Sequence, residues 1–173
     1  MASVTCFVQR INMLAVIQRV TKGSVTINEP PRLRRSGAMG KPRRLNSIKE
    51  GYVILLGIFK DDDENDVKKL VRKIAHLRVM ADEKRKMNYS IKDVNGEILV
   101  VSQFTLCADL TYGRRPSFSK AKKPEEAKKL YELFVRKLQD HDIKVKKGAF
   151  GEYMQVEIIN DGPVTIIIDS NKL

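Results

Sequence analysis

The longest apolar run in this chain covers residues 52–59 (YVILLGIF) and contains β-branched side chains and one glycine. A run of this length is too short to span a bilayer as a helix, which takes about 20 residues. It is typical of a strand that is buried on both faces. Residues 98–101 have the same character. The sequence therefore predicts a buried sheet, and 173 residues are enough for one domain that needs no metal or disulfide to fold.

Two amphipathic helices are predicted to cover this sheet. The first has apolar side chains at positions 67, 70, 71, 74 and 77, which lie on one helix face. The acidic residues 61–64 precede it and are expected to cap its N-terminus, with metal binding as the alternative. The second helix is predicted to begin at Pro124, a residue that favours the first helical position. Its apolar face is formed by Ala127, Leu130, Tyr131, Phe134 and Leu138.

Further strands are predicted at residues 14–20, 24–28, 143–146, 153–159 and 163–168, with turns at Gly23 and at Asp161-Gly162-Pro163. The order β-β-β-α-β-α-β-β-β predicts an α+β domain with a mostly antiparallel sheet. Residues 81–97 are polar and rich in turn signals. Residues 1–12 are interpreted as an N-terminal extension that precedes a single domain over residues 13–173.

Positive charge dominates the composition, with a formal net charge of +12. Residues 29–50 hold seven basic and two acidic residues, three prolines and two glycines, and are predicted to form a loop. Residues 113–123 add five basic residues and no acidic one. This distribution favours a polyanionic partner such as a nucleic acid, and solubility alone is the alternative explanation.

The cysteines and histidines exclude several kinds of site. Cys6 and Cys107 form no CxxC pair and are predicted to be free thiols in a reducing compartment. Together with His76 and His141 they match no zinc-binding spacing. Neither histidine lies in a nucleophile motif, so the general base of an enzyme of this sequence is not expected to be a histidine.

Two polar segments beside buried strands are the candidates for chemistry. Residues 102–106 (SQFTL) follow a buried strand, where backbone N–H groups with hydroxyl and amide side chains can bind an oxyanion or an amine. The alternative is an ordinary strand end at which Ser and Thr satisfy local backbone groups. Residues 160–165 (NDGPVT) are a turn signal, and a hairpin is their ordinary interpretation.

The two segments, read as VVSQFTL at 100–106 and NDGPVT at 160–165, resemble the signature pair of the D-aminoacyl-tRNA deacylase family. The similarity extends to LAVIQRVTKGSVT at 14–26, VILLGIFKDDDE at 53–64, GRRPSFSKA at 113–121 and GAFGEYMQVEIINDGPVTI at 148–166. It departs in the first twelve residues and at 29–50, where members of the family have a short hairpin and this chain carries a basic insertion.

The resemblance implies a barrel-like, mostly antiparallel sheet flanked by helices. It implies a hydrolase that cleaves the ester between a D-amino acid and the 3′-terminal adenosine of tRNA. The enzyme would be a cytoplasmic homodimer with active sites at the subunit interface, with no metal, cofactor or membrane association. Glycyl-tRNA would also be hydrolysed, because selection by a clash with an L side chain leaves glycine unopposed.

The resemblance also implies two groups of site residues. Ser102, Gln103, Phe104 and Thr105 would form one wall of the active site. Gly162 and Pro163 would form a Gly-cisPro motif that one subunit inserts into the other's site, where their carbonyl oxygens crowd the position of an L side chain. Arg19 would brace this motif, and Thr165 next to it is a further candidate catalytic residue. The remaining residues expected to bind substrate are Arg114, Arg115, Pro116, Ser117, Phe118, Phe150 and Met154.

The sequence shows no base adjacent to Thr105 or Thr165 that would activate either as a nucleophile. The 2′-hydroxyl of the substrate is therefore expected to assist attack on the ester, while the protein orients the groups and supplies backbone donors. Two other functions stay open: a DNA-binding module that uses residues 29–50, and an editing domain for L-aminoacyl- or glycyl-tRNA.

Overall fold

The computed structural model describes residues 11–27 and 43–173. Within these ranges the chain forms eight strands and two α-helices. The strands are β1 (Leu14–Ile27), β2 (Arg43–Ile48), β3 (Gly51–Gly57), β4 (Arg78–Ala81), β5 (Met87–Ser90), β6 (Glu97–Ser102), β7 (Lys144–Lys147) and β8 (Met154–Asp169). The helices are α1 (Glu64–Ala75) and α2 (Pro124–Gln139), and single 3-10 turns cover Phe104–Cys107 and Ser170–Lys172.

Strand β1 is the centre of the main sheet. Its first half pairs with β3, its second half pairs with β2, and β8 pairs along its whole length, all antiparallel. β3 pairs in parallel with β6, which pairs in parallel with β7. Asn46 of β2 donates a hydrogen bond to the carbonyl of Lys147 at the end of β7, at 2.7 Å. The sheet is therefore barrel-like and nearly closed, which confirms the predicted fold class.

Each face of the sheet carries its own core, because alternate residues of a strand point to opposite faces. Ile54 and Val100 lie on the face that packs against both helices, together with the fully buried Tyr131. Val53 and Leu99 lie on the other face, inside the barrel. Met154 of β8 packs against this inner core at its edge.

The helix boundaries follow from local chemistry, as the sequence predicted. Asp63 caps α1 and forms a capping box with Asp66, so the acidic cluster is used at least in part as a helix cap. Pro124 occupies the first turn of α2. Leu77 lies beyond the end of α1 at Ala75, although it packs against the same core.

Four sequence predictions about strands and loops are corrected. Gly23 lies inside the continuous strand β1, whose second half is held between β2 and β8 on its two edges. The predicted turn at Asp161-Gly162-Pro163 lies within the single long strand β8, which pairs with β1 on both sides of a register irregularity at residues 161–164. Residues 43–48 of the predicted loop form β2, and residues 28–42 lie outside the described residues, as do residues 1–10 of the predicted extension.

The fourth correction concerns residues 81–97, in which β5 pairs with β4 as a small separate hairpin. Asp82 organises its turn: it accepts hydrogen bonds from the backbone N–H groups of Lys84 and Lys86, at 2.8 Å each. Across the described ranges, no helix has the length and apolar character that a membrane span requires.

Candidate active site

A cavity of about 600 Å³ opens where β3 and β6 end, and it brings together six of the predicted site residues. They are Ser102, Gln103, Phe104, Phe118, Phe150 and Met154. The volume lies in the range that small-molecule sites occupy, roughly 300–1,000 Å³. Apolar side chains from both cores form its floor, so the cavity offers aromatic and aliphatic walls with polar groups at one edge.

One wall is built from the end of β6 and the 3-10 turn that follows it. The backbone N–H of Gln103 donates to the carbonyl of Leu56 at 2.8 Å, which continues the pairing with β3 by one residue. The chain then tightens, and the N–H of Leu106 donates to the carbonyl of Gln103 at 3.2 Å. This turn leaves the side chains of Phe104 and Thr105 exposed, and the Gln103 amide donates to the Thr105 hydroxyl.

The second wall is the segment between β7 and β8, which carries Phe150 and Met154. Tyr131 of α2 holds it in place: its hydroxyl donates to the carbonyl of Val100 at 2.9 Å and lies 3.4 Å from that of Gly148. Its ring lies 5.6 Å from the ring of Phe150. Burial raises the pKa of the Tyr131 hydroxyl, so it stays protonated and remains a donor.

The third wall is the segment that leads into α2. Its backbone pairs with neighbouring loops at Asp109–Ser117 and at Phe59–Ala121, which fixes the position of Phe118 between them. The Phe118 ring meets the Phe104 ring edge to face with 4.9 Å between centroids. Lys122 donates from its ammonium group to the carbonyl of Lys60 at 2.8 Å.

The remaining predicted residues of this segment lie away from the cavity. Arg114, Arg115 and Pro116 are exposed at the tip of the loop, and Ser117 uses its hydroxyl for a local hydrogen bond to Ser119 at 3.1 Å. Thr105 is close in sequence to the first wall but is exposed beside the cavity. The two arginines are therefore exposed to solvent outside the cavity.

The second predicted group lies on β1 and β8. Arg19 is 8% exposed; its guanidinium donates to the carbonyl of Val79 at 2.7 Å and pairs with Asp161 at 2.9 Å between Nε and Oδ2. Gly162 follows with a φ of +121°, and the Gly162–Pro163 peptide bond is cis. Gly162, Pro163 and Thr165 are exposed and do not line the cavity of their own chain.

Sequence reasoning missed several contributors to the cavity. Tyr131 was assigned only to the helix core, since an apolar helix position gives no indication of where its hydroxyl points. Gly151, Glu152 and Tyr153 lie between two predicted residues and line the cavity with them. Lys122 and Lys123 also line the cavity. Their position directly before Pro124, at the start of a helix, is the sequence feature that could have indicated this.

A buried acid and a buried thiol lie behind the 3-10 turn. Asp62 is 3% exposed, and its Oδ2 accepts from the backbone N–H of Phe59 at 2.6 Å. Burial raises the pKa of Asp62 to about 7. Cys107 is free, and burial, followed by the nearby Asp62 carboxyl, raises the pKa of its thiol to about 12. A thiol held protonated in this way is a poor nucleophile.

The two histidines lie apart from the cavity. His76 and His141 stack edge to face with each other, 5.7 Å between ring centroids, just beyond the ends of α1 and α2. Among the described residues, no three His, Cys, Asp or Glu side chains are grouped as the ligands of a metal ion would be.

The nearly closed sheet and the strand-end cavity define a fold of the tRNA deacylase type. A solved structure titled as a probable eukaryotic D-amino acid tRNA deacylase matches with a TM-score of 0.73 at 15% identity, over 92% of this chain and 100% of that one. A structure titled c-Myc DNA Unwinding Element Binding Protein matches with a TM-score of 0.76 at 39% identity, over 90% of this chain and 97% of that one.

Sequence comparison specifies the family. The family model described as D-Tyr-tRNA(Tyr) deacylase matches residues 16–169. The D-aminoacyl-tRNA deacylase of a Sulfurihydrogenibium species is 51% identical and that of Aquifex aeolicus 50% identical, each over 161 residues that make up 93% of this chain and 100% of the relative. The chain belongs to the D-Tyr-tRNA(Tyr) deacylase family, which confirms the resemblance carried by its motifs.

Proposed function

We propose that this protein hydrolyses the ester bond between a D-amino acid and the 3′-terminal adenosine of tRNA, releasing the free D-amino acid and tRNA. The observation that carries the proposal is the cavity at the end of β6, in a chain of this family. Its rings, Phe104, Phe118 and Phe150, offer the stacking surfaces that proteins use to bind unpaired bases. Ser102 and Gln103 form the polar edge of the cavity, and the aminoacyl ester attached to the bound adenosine would lie against them.

Catalysis in this proposal relies on the substrate's own 2′-hydroxyl. The Thr105 hydroxyl accepts a hydrogen bond from the Gln103 side chain, and a neutral amide has no capacity to remove a proton. The 2′-hydroxyl, adjacent to the ester, assists the attack or orients the attacking water. Backbone N–H groups of the 3-10 turn stabilise the developing oxyanion, and the walls hold the ester in place.

Selection of the D enantiomer is assigned to Gly162 and Pro163, acting in the active site of a partner subunit. Two features support this assignment. Both residues are exposed on β8, and the segment is anchored from below by the buried Arg19 through its ion pair with Asp161. Backbone carbonyls held in this way would clash with an L side chain. They would leave enough room for the small α-hydrogen that a D residue places there. Glycyl-tRNA, which lacks a side chain, would be hydrolysed as well.

The proposal requires a homodimer with active sites at the interface, because the two groups of site residues lie apart in one chain. Exposed apolar side chains support such an interface. Tyr112 is 87% exposed, Leu110 69%, Ile167 66% and Phe104 59%. Contiguous exposed apolar patches are typical of surfaces that another protein covers, and the proposal places these side chains in such a patch. The proposed location of the enzyme is the cytoplasm, where tRNA is charged.

A second candidate function is DNA binding through the basic segment 29–50. The structure titled c-Myc DNA Unwinding Element Binding Protein, at 39% identity, favours this candidate, as does the net charge of +12. Because residues 43–48 form β2, a deletion that tests it should be confined to residues 29–42. Loss of DNA binding with unchanged deacylation would establish DNA binding as a separate role of this segment.

The test of the leading proposal compares three matched substrates: D-tyrosyl-, L-tyrosyl- and glycyl-tRNA. Purified protein should release the amino acid from the D ester, leave the L ester intact and hydrolyse the glycyl ester. Equal rates on D and L esters would refute chiral selection while leaving the hydrolase intact. A chain that releases none of the three would refute the proposed activity.

A further inference from the structure

We infer that Arg43 binds the phosphate on the 5′ side of the terminal adenosine, at the rim of the candidate active site. The inference rests on the proposed function and assigns a substrate contact to the first residue of β2. Arg43 belongs to the segment in which this chain departs from the family pattern.

The register of three strands places Arg43 beside the cavity. Ile27, the last residue of β1, pairs with Arg43 on one edge and with Met154 on the other. Two strand spacings separate Arg43 from Met154, roughly 10 Å between their backbones. Met154 lines the cavity, so a long arginine side chain in this row extends within reach of its mouth.

The same register determines the face on which Arg43 lies. Residues that pair directly across antiparallel strands have side chains on the same face. Met154 packs against the core inside the barrel, so Ile27 and Arg43 point to the inner face as well. Arg43 is exposed at the open end of that face, and it makes no hydrogen bond or ion pair with any residue that the structure describes.

Arg44 points to the outer face and provides a natural comparison. It pairs with Thr26, which in turn pairs with Gln155, an exposed residue of β8. Its charge acts on the outer carboxylate of Glu157, whose pKa is lowered first by Ser24 and Lys22 and to a smaller extent by Arg44. The two neighbouring arginines therefore carry the same charge, and only Arg43 lies on the sheet face that carries Met154.

The opposite rim is less suited to a phosphate. Lys122 is already engaged with the carbonyl of Lys60 and lies 3.6 Å from Glu126. Lys123 is followed by two acidic residues in the first turn of α2, which oppose an anion there. On the side of the mouth near Met154, the exposed Glu152 carries a negative charge. Arg43 supplies the positive charge on that side. A guanidinium suits phosphate because it donates two parallel hydrogen bonds.

The experiment uses three esters of one D-amino acid: D-tyrosyl-adenosine, D-tyrosyl-adenosine 5′-monophosphate and D-tyrosyl-tRNA. The variant Arg43→Gln should raise KM about fivefold for the monophosphate and for the tRNA, and leave the unphosphorylated nucleoside unchanged. The slope of log(kcat/KM) against log salt for tRNA should become shallower by about 0.7, the value for one contact to a single strand. Arg43→Lys should retain the salt slope and part of the affinity.

Arg44→Gln is the matched control, with KM expected to stay within about twofold of the wild type for all three esters. The inference is overturned if both glutamine variants weaken tRNA equally, since the effect is then general electrostatics. It is also overturned if Arg43→Gln impairs the nucleoside ester, or if Lys123→Gln and not Arg43→Gln shows the phosphate-dependent loss. A wild-type chain that hydrolyses none of the three esters refutes the proposed function itself, which separates that failure from the failure of Arg43.

Discussion

Asp62 shows how burial of a single carboxyl connects the 3-10 turn with the loop before α1. Its Oδ2 accepts a hydrogen bond from the Phe59 N–H at 2.6 Å, and the residue is only 3% exposed. Burial favours the neutral acid and raises the pKa of Asp62 from the usual 3.8 to about 7. The Cys107 thiol lies on the same turn as Phe104. Its pKa is raised by burial and, to a smaller extent, by the nearby Asp62 carboxyl.

The pKa of Asp62 predicts how stability depends on pH. Between the unfolded pKa near 3.8 and the folded pKa near 7, the folded state binds more protons than the unfolded state. Stability should therefore fall as pH rises through this window, by on the order of 4 kcal/mol. Urea unfolding at several pH values should show this fall in the wild type and a flatter profile in Asp62→Asn.

The exposed Glu64→Gln variant is the control for Asp62→Asn, and its profile should follow the wild type. Parallel pH profiles for the wild type and Asp62→Asn would show that the folded state does not hold this proton.

The two threonines of the candidate site give a prediction about mechanism. If the substrate's 2′-hydroxyl assists the attack, Thr105→Ala and Thr165→Ala should each lose less than about tenfold in kcat/KM. Removal of a true nucleophile would cost far more, on the order of 10⁶-fold in the best-studied hydrolase. Steady-state deacylation of D-aminoacyl-tRNA measures the difference, and Thr105→Ser and Thr165→Ser are the matched variants. Complete loss in a folded alanine variant, restored by serine, would assign that hydroxyl as the nucleophile.

At the scale of elements, the sequence predicted the parts whose signal is local. Asp63 and Pro124 mark the starts of both helices, and the apolar runs at 52–59 and 98–101 mark the buried strands. The sequence did not predict the continuous strand β8, because Asp-Gly-Pro is a turn signal in isolation. In the structure, β1 pairs with β8 on both sides of residues 161–164, which interrupt the register without ending the strand. The loop prediction for 43–48 failed for the same reason, since β2 is defined by its partner β1.

The candidate site likewise has parts that the sequence indicated and parts that it did not. Ser102, Gln103 and Phe104 of the motif at 102–106 line the cavity, whereas Thr105 is exposed beside it. The cavity itself depends on contacts between distant segments, such as the Tyr131 hydroxyl on the carbonyl of Val100, and no local pattern predicts these. The position of Arg43, two strands away from Met154, follows only from the register of three strands, none of which was predicted at these bounds.

The crowded backbone of β8 at Gly162 predicts a difference between two glycines. A Cβ at Gly162 would lie 2.9 Å from the Val164 side chain and 3.4 Å from Arg19, whereas one at Gly113 would meet nothing within 4 Å. Both glycines have a positive φ, +121° and +72°, so alanine is strained at each. Gly113→Ala should cost about 1 kcal/mol and Gly162→Ala about 2–4 kcal/mol in urea unfolding. Equal losses would show that the packing around Arg19 and Val164 adds nothing to the backbone strain.

At the scale of the whole molecule, positive charge lies both at the cavity, which Lys122 and Lys123 line, and on the loop outside it. The cavity walls are aromatic and aliphatic, while Arg114 and Arg115 are exposed on the loop that carries Phe118. A ligand that fills the cavity with a neutral nucleoside and extends a phosphate chain outward matches this arrangement. In the proposed function, the net charge of +12 favours association with tRNA, and the cavity walls bind its 3′-terminal adenosine.

Because Arg114 and Arg115 lie outside the cavity, their loss is predicted to weaken tRNA binding and to leave the chemical step unchanged. Arg114→Gln with Arg115→Gln should weaken the binding of D-aminoacyl-tRNA and reduce the magnitude of the slope of log affinity against log salt by about 1.4, for two contacts to a single strand. The rate at saturating substrate should change little, because neither side chain lines the cavity. The control is Arg72→Gln with Lys73→Gln on the exposed face of α1, which removes the same charge from a helix that does not line the cavity. If both pairs flatten the slope equally, net charge alone governs association; if the Arg114–Arg115 pair lowers the saturated rate instead, the loop acts in the chemical step.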